Sequence, residues 1–207
     1  MLSLTYLQID GPAADRLIAD FATAADLRSV ERHAQERRRR QGLTARALLR
    51  AMLERLTGRN WSLVKNDQGK LELAAPSAGA APWISVSHSG DLVACAVSGT
   101  GSTGIDVEKL RPDRDCVGLA GAAFAPSEVE AVRRGGCDAF YRIWTLREAL
   151  FKAAGMAGSP PVTTSPCRIG ADLYDIAYWP LGNGYGLAAA RHRSEGVEPD
   201  WRPLPYQ

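Results

Sequence analysis

The chain has 207 residues, 45% of them apolar and 23% charged, with a net charge of +2. These values fit a soluble globular protein of one large or two small domains. No apolar run approaches the roughly 18 residues of a membrane span. The start "MLSLTYLQIDGP" has neither a positive n-region nor a long apolar h-region. The sequence therefore predicts a cytoplasmic protein without a signal peptide.

The charge is unevenly placed. Residues 28–55 hold nine arginines against three glutamates, a local charge of +6, which leaves −4 for the rest. A local cationic surface on a near-neutral chain points to a localised anionic ligand.

In chain order, residues 2–9 read as a strand and 12–23 as a short amphipathic helix. Residues 25–58 read as two helices broken near Gly42, with Thr44 as N-cap and Gly58 as C-cap. Residues 61–73 read as two short strands around a turn at Asn66–Gly69. Residues 75–82 read as a loop, followed by strands at 83–87, 91–98 and 103–109. Helices follow at 127–134 and 138–154, a loop at 155–166, and two or three strands over 167–192 with a turn at Gly182–Gly184. The polar, Pro-rich tail reads as poorly ordered or wrapped on the surface. The pattern predicts an α+β fold of two similar halves, 1–100 and 101–207, each a small antiparallel sheet packed with helices. Cys95, Cys116, Cys137 and Cys167 lie outside ligand spacings and read as small buried hydrophobes, without zinc or disulfides.

Some ionisable groups sit where an apolar segment should not carry them. In "GIDVEKL", strand alternation puts Asp106 and Glu108 on one face and Ile105 and Val107 on the other. Two such carboxylates suit Mg²⁺, or Mn²⁺ in its place, although a solvated strand end looks the same in sequence. In "FYRIWTLREALFKAAG" (140–155), Tyr141, Thr145, Glu148 and Lys152 form a narrow polar stripe on a largely apolar helix. Glu148 and Lys152 could equally be a surface i,i+4 pair. Arg147 projects into the apolar arc and needs an anion or a route to water. His88 ends a strand before a Ser–Gly turn, where it could bond the turn or, with Ser87 or Ser89, a phosphate. Together, three acids and a lysine can hold a cation and a diphosphate.

"WISVSHS", "GIDVEKL" and "FYRIWTLREALFKAAG", in this order and with about 40 residues between the last two, resemble three signature blocks of the 4′-phosphopantetheinyl transferases. The likeness is to the longer, surfactin-synthetase-type branch, and it covers roughly residues 28–155. It implies the two-half fold of that family, its halves related by a pseudo-two-fold axis. It implies transfer of the phosphopantetheine arm of coenzyme A to a serine of an apo acyl, polyketide or peptidyl carrier protein, with release of 3′,5′-ADP. Asp106, Glu108 and Glu148 would then hold Mg²⁺, Glu148 would act as base, Lys152 would serve the leaving phosphate, and His88 would contact a phosphate of coenzyme A. "TARALLR" places Arg46 at the family's 3′-phosphate contact. "QGKLEL" resembles a Gly-Lys-Pro turn, with Leu71 in place of proline, and gives Lys70 as a second contact. Arg28 and Arg32 resemble the basic residues upstream. In "AFAPSEVEAV" Ala125 stands where a capping serine is common. The sequence thus expects coenzyme A across a cleft between halves, a monomer, and no nucleic-acid or membrane partner. A Mg²⁺-dependent nucleotide or phosphodiester hydrolase is the alternative.

Overall fold

The computed structural model describes residues 2–67, 69–74, 79–155, 161–162, 165–193 and 201–206. The chain divides into two compact units, Met1–Gly101 with Gly196–Gln207, and Ser102–Glu195. The fold is α+β, with small antiparallel sheets packed by helices.

The first unit begins with β1 (Leu2–Gln8) and runs through α1 (Pro12–Phe21), α2 (Ala24–Glu31) and α3 (Glu36–Thr57). The short pair β2 (Leu63–Lys65) and β3 (Leu71–Leu73) follows, then the hairpin β4 (Trp83–Ser89) and β5 (Leu92–Ser98). β5 lies between β1 and β4, antiparallel to both, and every residue of it is buried. Its Val93, Cys95 and Val97 share a core with Leu48, Leu49, Met52 and Leu53 of α3.

The second unit repeats this order. β6 (Thr103–Lys109) leads to α4 (Cys116–Ala123) and α5 (Pro126–Ala154), then to β7 (Cys167–Ile169), β8 (Asp172–Leu181) and β9 (Tyr185–His192). β9 pairs antiparallel with β6, as β5 does with β1. Gly136, at φ 63° and ψ −151°, separates α5 into two helical stretches, as the sequence pattern predicts. The short β10 (Leu204–Pro205) pairs parallel with β1, so this part of the tail joins the first unit's sheet although the sequence places it in the second half.

Three expectations need correction. The break near Gly42 lies instead at residues 32–35, and α3 runs through Gly42. A Cβ there would stand 2.8 Å from Val30 Cγ1, so the glycine serves a close approach of α2 to α3. Thr44 is consequently no cap but a fully buried interior residue. Next, α4 escapes the sequence reading because "CVGLAGAA" is small and apolar on every face. Asp115 caps it, accepting a hydrogen bond from Gly118 N at 2.9 Å. Finally, packing of α4 on α5 brings Cys116 and Cys137 to a Cα separation of 5.4 Å, where they form a disulfide. Cys95 and Cys167 are buried free thiols, as expected. Among the described residues, no helix is long and apolar enough to cross a membrane.

Gly42→Leu should separate α2 from α3 and cost about 1–3 kcal/mol by overpacking, read as a lower urea midpoint.

Candidate functional site

In the second unit the site rests on one close contact. A Cβ on Gly104 would lie 2.6 Å from Ala153 N and closer still to Ala149 O. Only glycine on β6 and alanines on α5 allow two backbones to meet this tightly. Gly104 faces α5, and strand alternation therefore turns Asp106 and Glu108 to the same side.

Asp106 is 4% exposed. Lys152 reaches it from α5, donating to Asp106 Oδ1 at 2.7 Å and to Ile105 O at 3.1 Å. Glu148 lies one turn earlier on α5 and is half-buried. Burial, then the charge of Asp106, raises its carboxyl above the usual range, while Lys152 and Arg147 pull it down. The i,i+4 spacing allows a Glu148–Lys152 surface pair, but the fold gives the ammonium to Asp106.

Arg147 finds its anion in Glu128. Its Nη1 donates to Glu128 Oε2 at 2.9 Å, and its guanidinium lies over the Phe124 ring. Glu128 is 3% exposed and also accepts from Ala125 N at 3.0 Å and Val162 N at 2.9 Å. It closes the N-terminus of α5 in place of a capping serine.

The first unit gathers cations around one buried acid. Asp26 closes a capping box with Thr23 at the start of α2 and takes Arg50 Nε at 3.1 Å and Arg46 Nε at 3.6 Å. Burial opposes its ionisation, but the Thr23 amide and hydroxyl and the Arg50 guanidinium outweigh that and hold its carboxyl below the usual range. Arg46 is itself buried and also donates to Gly42 O at 2.9 Å. Burial depresses the Lys65 ammonium, and Arg46 and Arg32 depress it further. His33 is lowered in the same way by desolvation and by Arg32, Lys65, Arg38 and Arg46. An anion placed among these groups would relieve their mutual repulsion.

Of the residues nominated from sequence, the fold therefore groups Arg32 with Arg46. Arg28 is exposed near the end of α2, and Lys70 is exposed in the β2–β3 turn, where Asn66 Oδ1 accepts from its backbone N–H. Lys65, which the sequence reading missed, lies close enough to feel both Arg46 and Arg32. Its signal is strand alternation in "LVK", which no motif marks. Most of the "RRRR" run is spent within the protein: Arg37 pairs with Asp91, Arg39 with His33 O, and Arg40 with Ile9 O and Asp15. Ser87 is buried and His88 exposed, and alternation sets them on opposite faces of β4. His88 shares the face of Ile84 and Val86, which pack on the core. A cavity of about 550 Å³ lined by Ser3, Thr5, Phe21, Met52, Arg55 and Leu204 includes none of the nominated residues.

Among the described residues, no three His, Cys, Asp or Glu side chains stand grouped as a ready ion site. The donor chemistry nevertheless fits a hard cation: carboxylates from β6 and α5, one of them raised by burial and then by the charge of another.

Residues 102–170 match the model of the 4′-phosphopantetheinyl transferase superfamily, ACPS. The matched segment runs from the start of β6 through both helices of the second unit to β7. The 4′-phosphopantetheinyl transferase AcpT of Salmonella typhimurium is 40% identical over 122 residues, 57% of this chain and 60% of that protein. HetI of Nostoc sp., also a 4′-phosphopantetheinyl transferase, is 37% identical over 124 residues, 56% of this chain and 52% of HetI. The 4′-phosphopantetheinyl transferase of Bacillus subtilis is 31% identical over 90 residues, 42% of this chain and 39% of that protein. The aligned part of the chain thus spans three fifths or less of these relatives' lengths.

Lys152→Met should leave the Asp106 charge buried without its ammonium, at a cost of about 3 kcal/mol, the lower end of the range for such pairs. Adding Asp106→Asn should restore much of this, and a double-mutant cycle of urea unfolding measures the coupling.

Proposed function

We propose that this chain transfers the 4′-phosphopantetheine arm of coenzyme A to a serine hydroxyl of an apo carrier protein, releasing 3′,5′-ADP. The superfamily match over residues 102–170 supports this reading. So do the relatives named as such transferases. The observation that carries it is the convergence of Asp106, Glu148 and Lys152 at the Gly104 contact between β6 and α5. We assign the chain to the two-half, surfactin-synthetase-type branch, since both units run strand, helices, hairpin with the same strand pairing. The partner is an acyl, polyketide or peptidyl carrier, and the protein acts as a monomer in the cytoplasm.

In this reading Asp106, Glu108 and Glu148 hold Mg²⁺, which when bound neutralises the diphosphate and favours departure of the leaving phosphate. Glu148 takes the proton of the attacking serine, directly or through a water, because a serine hydroxyl is a poor nucleophile at neutral pH without a base. The serine oxygen then bonds to the phosphorus that carries the pantetheine arm, and the bond from that phosphorus to the bridging oxygen breaks. Lys152 supplies a proton or a charge-assisted hydrogen bond to the departing oxygen and gives up its contact with Asp106 to do so. Arg46 and Arg32, with Lys65 beside them, receive the 3′-phosphate. His88, Ser87, Lys70 and Arg28 add contacts to coenzyme A.

The test is the intact mass of an apo carrier protein after incubation with this protein, coenzyme A and Mg²⁺. The carrier should gain one phosphopantetheine. The gain should vanish with EDTA and fall at least about 100-fold in rate in Glu148→Gln, as expected for loss of a general base. Absence of any gain across fatty-acid, polyketide and peptide carriers would overturn the reading. Hydrolysis of coenzyme A without transfer would favour a hydrolase.

A further inference from the structure

The register of the second sheet sets a tyrosine on the face of the acids, one strand beyond their neighbour. Asp106 pairs with Ala188, and Ala188 pairs with Tyr178, so the three form one row across β6, β9 and β8. Glu108 pairs with Gly186 in the row two residues along. Both rows face α5, since they share the face of Gly104. Ala188 and Gly186 are small, and the space they leave is taken by Tyr178. A Cβ on Gly186 would lie 2.8 Å from Tyr178 Cε2 and closer to its hydroxyl. The phenol therefore lies over Gly186, the backbone partner of Glu108, and its oxygen leans toward the Glu108 row.

Among the described residues, none engages that oxygen: Tyr178 Oη makes no hydrogen bond, although the ring packs against the core under α5. Burial, then the charge of Asp138, pushes the phenol above its ordinary range, with Arg142 opposing, so the group is a donor at neutral pH. A protonated hydroxyl held over Gly186, in the row of Glu108 and on the face that carries Asp106, is suited to an anionic oxygen bound at that face.

We infer that Tyr178 is a substrate-binding residue that donates a hydrogen bond to a diphosphate oxygen of coenzyme A, and that Gly186 is glycine to admit its hydroxyl. This rests on the transferase reading. Neither residue lies within the three sequence blocks that carry the acids, the lysine or His88.

The test is Tyr178→Phe, which keeps the packing and removes only the oxygen. Calorimetric titration of the whole protein with coenzyme A in Mg²⁺ should show the dissociation constant raised about tenfold, the loss of one hydrogen bond to a charged group. KM for coenzyme A should rise with it, while KM for the carrier and the melting temperature stay put. Gly186→Ala should weaken coenzyme A binding in the same direction by displacing the ring. A Tyr178→Phe protein that binds coenzyme A as the parent does overturns the inference and leaves the transferase reading intact. A parent protein that binds no coenzyme A overturns both. A lowered melting point with unchanged coenzyme A affinity assigns Tyr178 to packing alone and also overturns it.

Discussion

The second unit depends on the contact of two backbones at Gly104. No side chain mediates it; the carbonyl of Ala149 and the amide of Ala153 lie where a Cβ would be. That approach fixes the height of β6 against α5. It brings Lys152 within hydrogen-bond distance of Asp106 and lets the charge of Asp106 reach Glu148. A strand and helix packed through ordinary side chains would stand roughly 10 Å apart, as stacked layers do. The ion pair is then a consequence of packing, and its low exposure makes each partner costly to remove alone.

The first unit solves a different problem, how to hold several cations together without an anion of the solvent. Asp26 does this from a buried position, fixed by the Thr23 capping box and shared between Arg46 and Arg50. One carboxylate does not neutralise the group. Burial depresses Arg46 and Lys65, and the charge of Arg32 adds to the effect on both. That residual repulsion is the electrostatic form of an anion site. The neighbouring arginine run contributes little to it, because Arg37, Arg39 and Arg40 are already engaged by acids and carbonyls.

Much of this was readable from residue order. Alternation located β1, β4, β5 and β6, and it set Asp106 and Glu108 on one face. The 3.6-residue stripe located both parts of α5, and Gly136 explains the gap between them. What failed were residues whose role is fixed by a distant partner. Gly42 looks like a helix breaker until Val30 is packed against it. Thr44 looks like a cap for the same reason. Cys116 and Cys137 are separated by 21 residues, and only the packing of α4 on α5 makes them neighbours. No motif marks Lys65, which the fold brings close enough to feel Arg46 and Arg32. Gly104 and Gly186 carry the site's geometry, yet a glycine in a strand is silent in sequence until the atoms above it are known.

The most direct test is crystallographic. Crystals grown with coenzyme A and Mn²⁺ would locate the metal by its anomalous scattering. The account predicts one peak held by Asp106, Glu108 and Glu148, with Lys152 moved from Asp106 toward the phosphates. A structure with coenzyme A bound, no peak at these carboxylates and Lys152 still on Asp106 would contradict it.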